Sequence, residues 1–227
     1  MRIAILDCAD LKSAGLERHG SVGRLVQNWI APHLPADTAF ERIDIAQGAE
    51  FPQVADYDGF ILPGSEYGVY DNPPWMAELI DMLLRIRSAR VPLLGICFGH
   101  QMMAHTFGGE AAKADLGMCV GPRCWTVEGT TFYAQVLHQD QVSKVPPEAR
   151  LIGGAEYCKN GVIEYDFPAL SMQFHPEYTS QFMIDAVEVL EGTALDTQTA
   201  ATARQTLQRT LHTDVFVKKA ARLFLRG

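Results

Sequence analysis

Residues 91–105 constrain this chain more than any other stretch. Val91-Pro92-Leu93-Leu94 reads as an apolar strand, Gly95-Ile96-Cys97-Phe98-Gly99 as a tight turn, and His100-Gln101-Met102-Met103-Ala104-His105 as the helix that leaves it. A Gly-x-Cys-x-Gly turn between a strand and a helix is a nucleophile elbow with sulfur as the attacking atom. The turn holds its central residue in a strained conformation, which is why small residues flank it. It lifts the Cys97 thiol above a sheet, and the positive end of the following helix favours a thiolate there.

A matching base lies downstream. Gln173-Phe174-His175-Pro176-Glu177 closes an apolar run that begins at Pro168-Ala169-Leu170. His175 can take the thiol proton and later protonate a leaving amine. Glu177 can hold the imidazole in the required tautomer, the third role of a triad, or can serve only as the acid at a helix start before Tyr178-Thr179-Ser180. His19, His33, His105 and His212 have no such context, and His100 is expected on the elbow helix.

The rest of the chain alternates strands and helices. Strands are predicted at Arg2–Asp7, Phe40–Ile45, Asp58–Leu62 and Pro92–Ile96. A helix is predicted over 21–33, with Val22, Leu25, Val26, Trp29 and Ile30 on one face, and another from Pro73-Pro74 to Ala89. This β-α-β order implies an α/β fold with an open, mostly parallel sheet flanked by helices. Its reactive end is where the strands finish. From about 123 to 174 short strand candidates follow: 125–127, 133–137, 151–152, 162–165 and 170–174. A helix is predicted over 179–191, and helical character continues beyond Gly192. Residues 1–192 are read as one α/β domain and 193–227 as a helical extension packed on it.

With 227 residues, 48% of them hydrophobic, the chain can bury a substantial core. A net charge of −8 without a Lys/Arg cluster argues against a nucleic-acid partner. No apolar run approaches a membrane span, and the N-terminus reads as a strand rather than a secretory leader. Five scattered cysteines without a CxxC pair suggest reduced thiols, a cytoplasmic location and no zinc site.

Taken together, Gly95-Ile96-Cys97-Phe98-Gly99-His100-Gln101 and Phe174-His175-Pro176-Glu177 resemble the class I (triad) glutamine amidotransferases. Phe60-Ile61-Leu62-Pro63-Gly64-Ser65 is similar to that family's oxyanion-loop strand, and Leu137-His138-Gln139-Asp140 to the His-x-Asp segment of the GMP synthase glutaminase. The resemblance covers roughly residues 1–190 and implies the family's sheet with a small antiparallel flap at 123–174. It implies that Cys97, His175 and Glu177 hydrolyse the γ-amide of glutamine or a γ-glutamyl compound through a thioester, with no cofactor. The oxyanion would be held by the Phe98 backbone amide and one from the Gly64-Ser65 loop, and Gln101 and His138 would help hold the substrate. Gly64-Ser65 stands where family members often have Gly-Gly.

No Ser-Gly-Gly-x-Asp motif or P-loop is present, so no adenylate-forming chemistry is expected of this chain. A stand-alone γ-glutamyl hydrolase is favoured by the segment Ser65-Glu66-Tyr67-Gly68-Val69-Tyr70-Asp71, which is also expected to border the leaving-group side of the pocket. A glutaminase subunit that feeds ammonia to a separate synthase stays open, as does a non-catalytic binding protein of the same fold.

Overall fold

The computed structural model describes residues 1–9 and 16–225. Five strands form its parallel core: β1 (Arg2–Asp7), β2 (Ala39–Asp44), β3 (Gly59–Leu62), β4 (Leu93–Ile96) and β11 (Ala169–Met172). Four antiparallel strands extend the same sheet: β6 (Cys119–Val127), β7 (Thr130–His138), β9 (Ala149–Gly154) and β10 (Val162–Tyr165). The order across the nine strands is β2-β1-β3-β4-β11-β10-β9-β6-β7. A separate two-stranded antiparallel sheet pairs β5 (Glu110–Lys113) with β8 (Asp140–Lys144).

The central strands are apolar on both faces, as strands covered by helices on each side must be. Ile3 and Ile5 of β1 point into one core and Ala4 and Leu6 into the other. The first core is closed by α1 (Val22–Ile30) and α6 (Asp214–Phe224), through Val26, Ile30, Phe216, Ala220 and Phe224. The second is closed by α2 (Met76–Ala89) and α3 (Phe98–Thr106), through Leu79, Met82, Leu83, Met102 and Met103. A third cluster joins α4 (Ser180–Leu190) and α5 (Thr197–Thr206) to Val120 and Tyr178. The segment after Gly192 therefore seals two cores: the Phe224 ring lies so close to β3 that a Cβ at Gly59 would meet it at 2.5 Å.

Local signals account for most boundaries. Side chains of Ser21, Thr179 and Asp196 accept hydrogen bonds from Arg24 N, Phe182 N and Thr199 N, capping α1, α4 and α5. The helix expected from Pro73 starts at Met76 instead. Pro74 bars Pro73 from helical geometry, and Met76 N bonds back to Pro73 O in a turn. The short strands expected at 125–127 and 133–137 are parts of two nine-residue strands, β6 and β7, joined at Glu128-Gly129. Both turn residues have positive φ (47° and 80°), the geometry that matches a hairpin's twist. The strands expected to form a small flap thus continue the main sheet, and the small antiparallel piece is β5 with β8. No helix among the described residues is long and apolar enough to cross a membrane.

Candidate active site

Three adjacent parallel strands end at one place. β4 lies between β3 and β11, with Leu62 opposite Gly95 and Met172 opposite Ile96. Their C-terminal ends deliver Gly64, Cys97 and His175 to the crevice where open α/β sheets bind ligands.

Cys97 has φ 52° and ψ −103°, a conformation that L-residues other than glycine rarely adopt. The surrounding backbone over-determines it. Cys97 N donates to Met172 O at 2.8 Å, and Gln101 N to Cys97 O at 3.0 Å. A Cβ at Gly99 would lie 2.0 Å from Leu62 O, and one at Gly95 would lie 2.5 Å from Met103 Sδ. Both flanking glycines are therefore required for α3 to sit backbone-to-backbone against β3 and β4.

His175 is buried, and its Nδ1 lies 2.7 Å from Glu177 Oε1. Its ring stacks on Tyr178, with centroids 3.9 Å apart and planes 4° apart. Its backbone N–H donates to Gln135 O at 2.8 Å, so strand pairing and stacking both fix the ring. Burial alone would depress the imidazole pKa. The negative charges of Glu177 and Cys97, with hydrogen bonds to both, outweigh burial and raise it to about 10. The Cys97, His175 and Glu177 side chains thus stand in one connected row.

Gly64 lies against this row. A Cβ there would sit 2.7 Å from His175 Cε1 and 3.6 Å from Cys97 Cβ. Ser65 uses its hydroxyl to donate to Cys8 O at 2.8 Å and to accept from Tyr67 N at 3.2 Å, which ties the loop after β3 to the end of β1. The Phe98 amide opens α3, where no intrahelical acceptor exists for it, while the Phe98 ring packs edge-on against Trp75. Gln101 donates through Nε2 to Asp140 O at 3.0 Å and to Gln173 Oε1 at 3.2 Å. Both ring nitrogens of His138 are engaged, by Asp140 O at 3.0 Å and Tyr157 OH at 3.1 Å. The carbonyl requires the proton on Nδ1, so Nε2 accepts from the tyrosine, and burial holds the His138 pKa down at about 3.

Two residues not singled out from the sequence belong to the site. Gln173 Nε2 approaches Cys97 Sγ at 3.5 Å from a fully buried position. Tyr178 supplies the stacking face for His175. Both flank the Phe174-His175-Pro176-Glu177 motif, and an uncharged amide two residues before the histidine was the available signal. His100 lies outside the site: it is buried between Ser171 Oγ (2.7 Å) and Asn160 O (2.9 Å).

Cys97, Gln101, His138 and His175 open into a pocket of about 520 Å³. Its rim includes the loop from Ser65 to Asp71, with Tyr70 OH donating to Asp140 Oδ1 at 3.1 Å. Among the described residues no group of three or more His, Cys, Asp or Glu is placed to hold a metal.

Comparison with known proteins agrees with this geometry. The family model for glutamine amidotransferase class-I matches residues 31–186. Gamma-glutamyl peptidase 4 of Arabidopsis thaliana is 28% identical over 195 residues, 78% of each chain. The glutamine-hydrolysing subunit of GMP synthase from Archaeoglobus fulgidus is 29% identical over 143 residues, 59% of this chain and 74% of that one. Among solved structures, a glutamine amidotransferase of Methylobacillus flagellatus superposes with a TM-score of 0.75 at 20% identity, covering 100% of this chain and 92% of the other. One from Thermotoga maritima gives 0.74 at 19%, covering 99% and 96%. A family match over more than half of the chain, on a site of this construction, makes the protein an enzyme of the class I glutamine amidotransferase family.

Proposed function

We propose that this chain hydrolyses the γ-amide bond of γ-glutamyl compounds, by way of a γ-glutamyl thioester on Cys97. Cys97 sulfur attacks the γ-carbonyl carbon and forms a tetrahedral oxyanion. The Phe98 amide and one amide of the Gly64-Ser65 loop stabilise that oxyanion. His175, held protonated by Glu177 and Cys97, delivers its proton to the departing nitrogen as the C–N bond breaks. The now neutral imidazole then takes a proton from water, whose oxygen attacks the thioester. Glutamate leaves, and the proton returns with the thiolate–imidazolium pair.

The observation that carries this reading is the pocket. Its volume of about 520 Å³ lies within the range that holds drug-sized ligands, about 300–1,000 Å³. Free glutamine needs less, so leaving groups larger than ammonia fit. The similarity to gamma-glutamyl peptidase 4 supports the same reading. Steady-state kinetics of the isolated chain on glutamine and on γ-glutamyl dipeptides tests it. Cleavage of at least one dipeptide faster than glutamine is expected.

The similarity to the glutamine-hydrolysing part of a GMP synthase favours a second reading, a glutaminase that passes ammonia to a synthase. Inactivity on every γ-glutamyl peptide, with glutaminase activity appearing only after a synthase is added, would select it.

A further inference from the structure

The two walls of the pocket differ in chemistry. One is polar: Tyr70, Asp71, Gln101, Lys113 and Asp140 line it. It is knit together by Tyr70 OH on Asp140 Oδ1 and by Gln101 Nε2 on Asp140 O. The other is apolar: Met118, Tyr178, Phe182, Leu190 and Ala194. That wall is continuous with the proton donor. The His175 ring stacks on Tyr178, and Tyr178 meets Phe182 at a centroid distance of 4.3 Å.

The proton donor must face the nitrogen that departs. The leaving group therefore lies on the Tyr178–Phe182 side, and the charged amino-acid end of the glutamyl moiety lies against the polar wall. We propose that the apolar wall is a leaving-group subsite and that the preferred substrates are γ-glutamyl amides of amines bearing an apolar side chain. Charged leaving groups are rejected because that wall offers them no partner in exchange for lost water. This rests on the γ-glutamyl hydrolase reading above.

The test is a panel of γ-glutamyl-leucine, -phenylalanine, -glycine, -glutamate and -lysine, with glutamine as reference, on the full chain. Leucine and phenylalanine leaving groups should exceed glycine and glutamate by about 10-fold or more in kcat/KM. Met118 is half-buried and Ala194 exposed, so Met118→Glu and Ala194→Glu change the wall without opening the core. Each should move the lysine-to-leucine ratio of kcat/KM toward lysine by about 10-fold. Dipeptides cleaved within about 3-fold of one another, or a ratio unmoved in both variants, would overturn the subsite and leave the hydrolase reading intact. Turnover of glutamine with no dipeptide cleaved would instead remove the hydrolase reading, and the subsite with it.

Behind His175 lies a separate set of buried polar atoms. Both side-chain polar atoms of Gln135, and Glu177 Oε2, are buried without a hydrogen-bond partner. Gln135 and His175 form an antiparallel bridge, which puts their side chains on the same face as cross-strand neighbours. Glu177 is bonded to that same His175. Orphaned donors and acceptors this close are paired in working proteins, directly or through one buried water. We infer that Gln135 donates to Glu177 Oε2 and is a positioning residue that holds the carboxylate on the imidazole. A mutant cycle separates this from a structural role. Gln135→Met should lower kcat about 10-fold in the native background and less than about 2-fold in Glu177→Ala. Equal losses in the two backgrounds, or no loss in either, would overturn it.

Discussion

Gly64 and His175 are in contact: a single carbon added at Gly64 would stand 2.7 Å from Cε1 of the imidazole. The oxyanion loop and the catalytic base are thus packed against each other, and neither can move alone. Gly64→Ala should displace the ring or the loop by a few tenths of an ångström or more. A loss of at least about 100-fold in kcat/KM is expected, because small misplacements at a reacting centre carry large rate penalties. Circular dichroism should show a retained fold, since overpacking of this kind costs about 1–3 kcal/mol.

Cys97 is strained as well as reactive. Cys97→Ala should abolish turnover, because it removes the covalent route. Cys97→Gly should be equally inactive but more stable than the alanine variant. Relief of the φ 52°, ψ −103° conformation outweighs the extra chain entropy of glycine, by about 1 kcal/mol. Denaturant unfolding of the two variants compares them directly.

The pH dependence follows from His175. Burial opposes its charge, but Glu177 and Cys97 raise its pKa to about 10, above the unfolded value of about 6.5. A group whose pKa is raised by folding contributes stability that is fully present below the unfolded pKa. That contribution is lost as pH rises through the folded pKa. His175 should therefore make unfolding free energy fall between about pH 6.5 and 10. Glu177→Gln, which removes one of the two charges, should flatten that fall in urea titrations at stepped pH.

The C-terminal helix is part of the core. Phe224 is 5% exposed and sits on Gly59 at the start of β3. Phe224→Ala should cost about 3–5 kcal/mol in equilibrium unfolding. Turnover per folded molecule should be retained, because Phe224 lies in the helix-covered core and away from the pocket.

Much of this was legible in the sequence, for identifiable reasons. β1 spans Arg2–Asp7 and β10 Val162–Tyr165, as their apolar β-branched runs predict. The Gly-x-Cys-x-Gly turn is legible because its geometry tolerates few other residues. The motifs around Gly64, Cys97 and His175 lie far apart in the chain, and strand order brings them together. β5 is not legible because Glu110-Ala111-Ala112-Lys113 has no strand alternation; pairing with β8 makes it a strand. The full length of β6 is hidden by Gly121 and Pro122, which read as a break and are accommodated inside the strand, with Gly121 at φ 87°. Gln173 and Tyr178 carry no ionisable catalytic signature, and their roles follow from contacts alone.

The central claim is a γ-glutamyl thioester on Cys97. Rapid mixing with an activated γ-glutamyl anilide, acid quenching and peptide mass analysis test it most directly. The account predicts a γ-glutamyl adduct on the peptide containing Cys97, formed in a burst and absent from Cys97→Ala. Steady turnover with no adduct at any time, or turnover that survives Cys97→Ala, would contradict it.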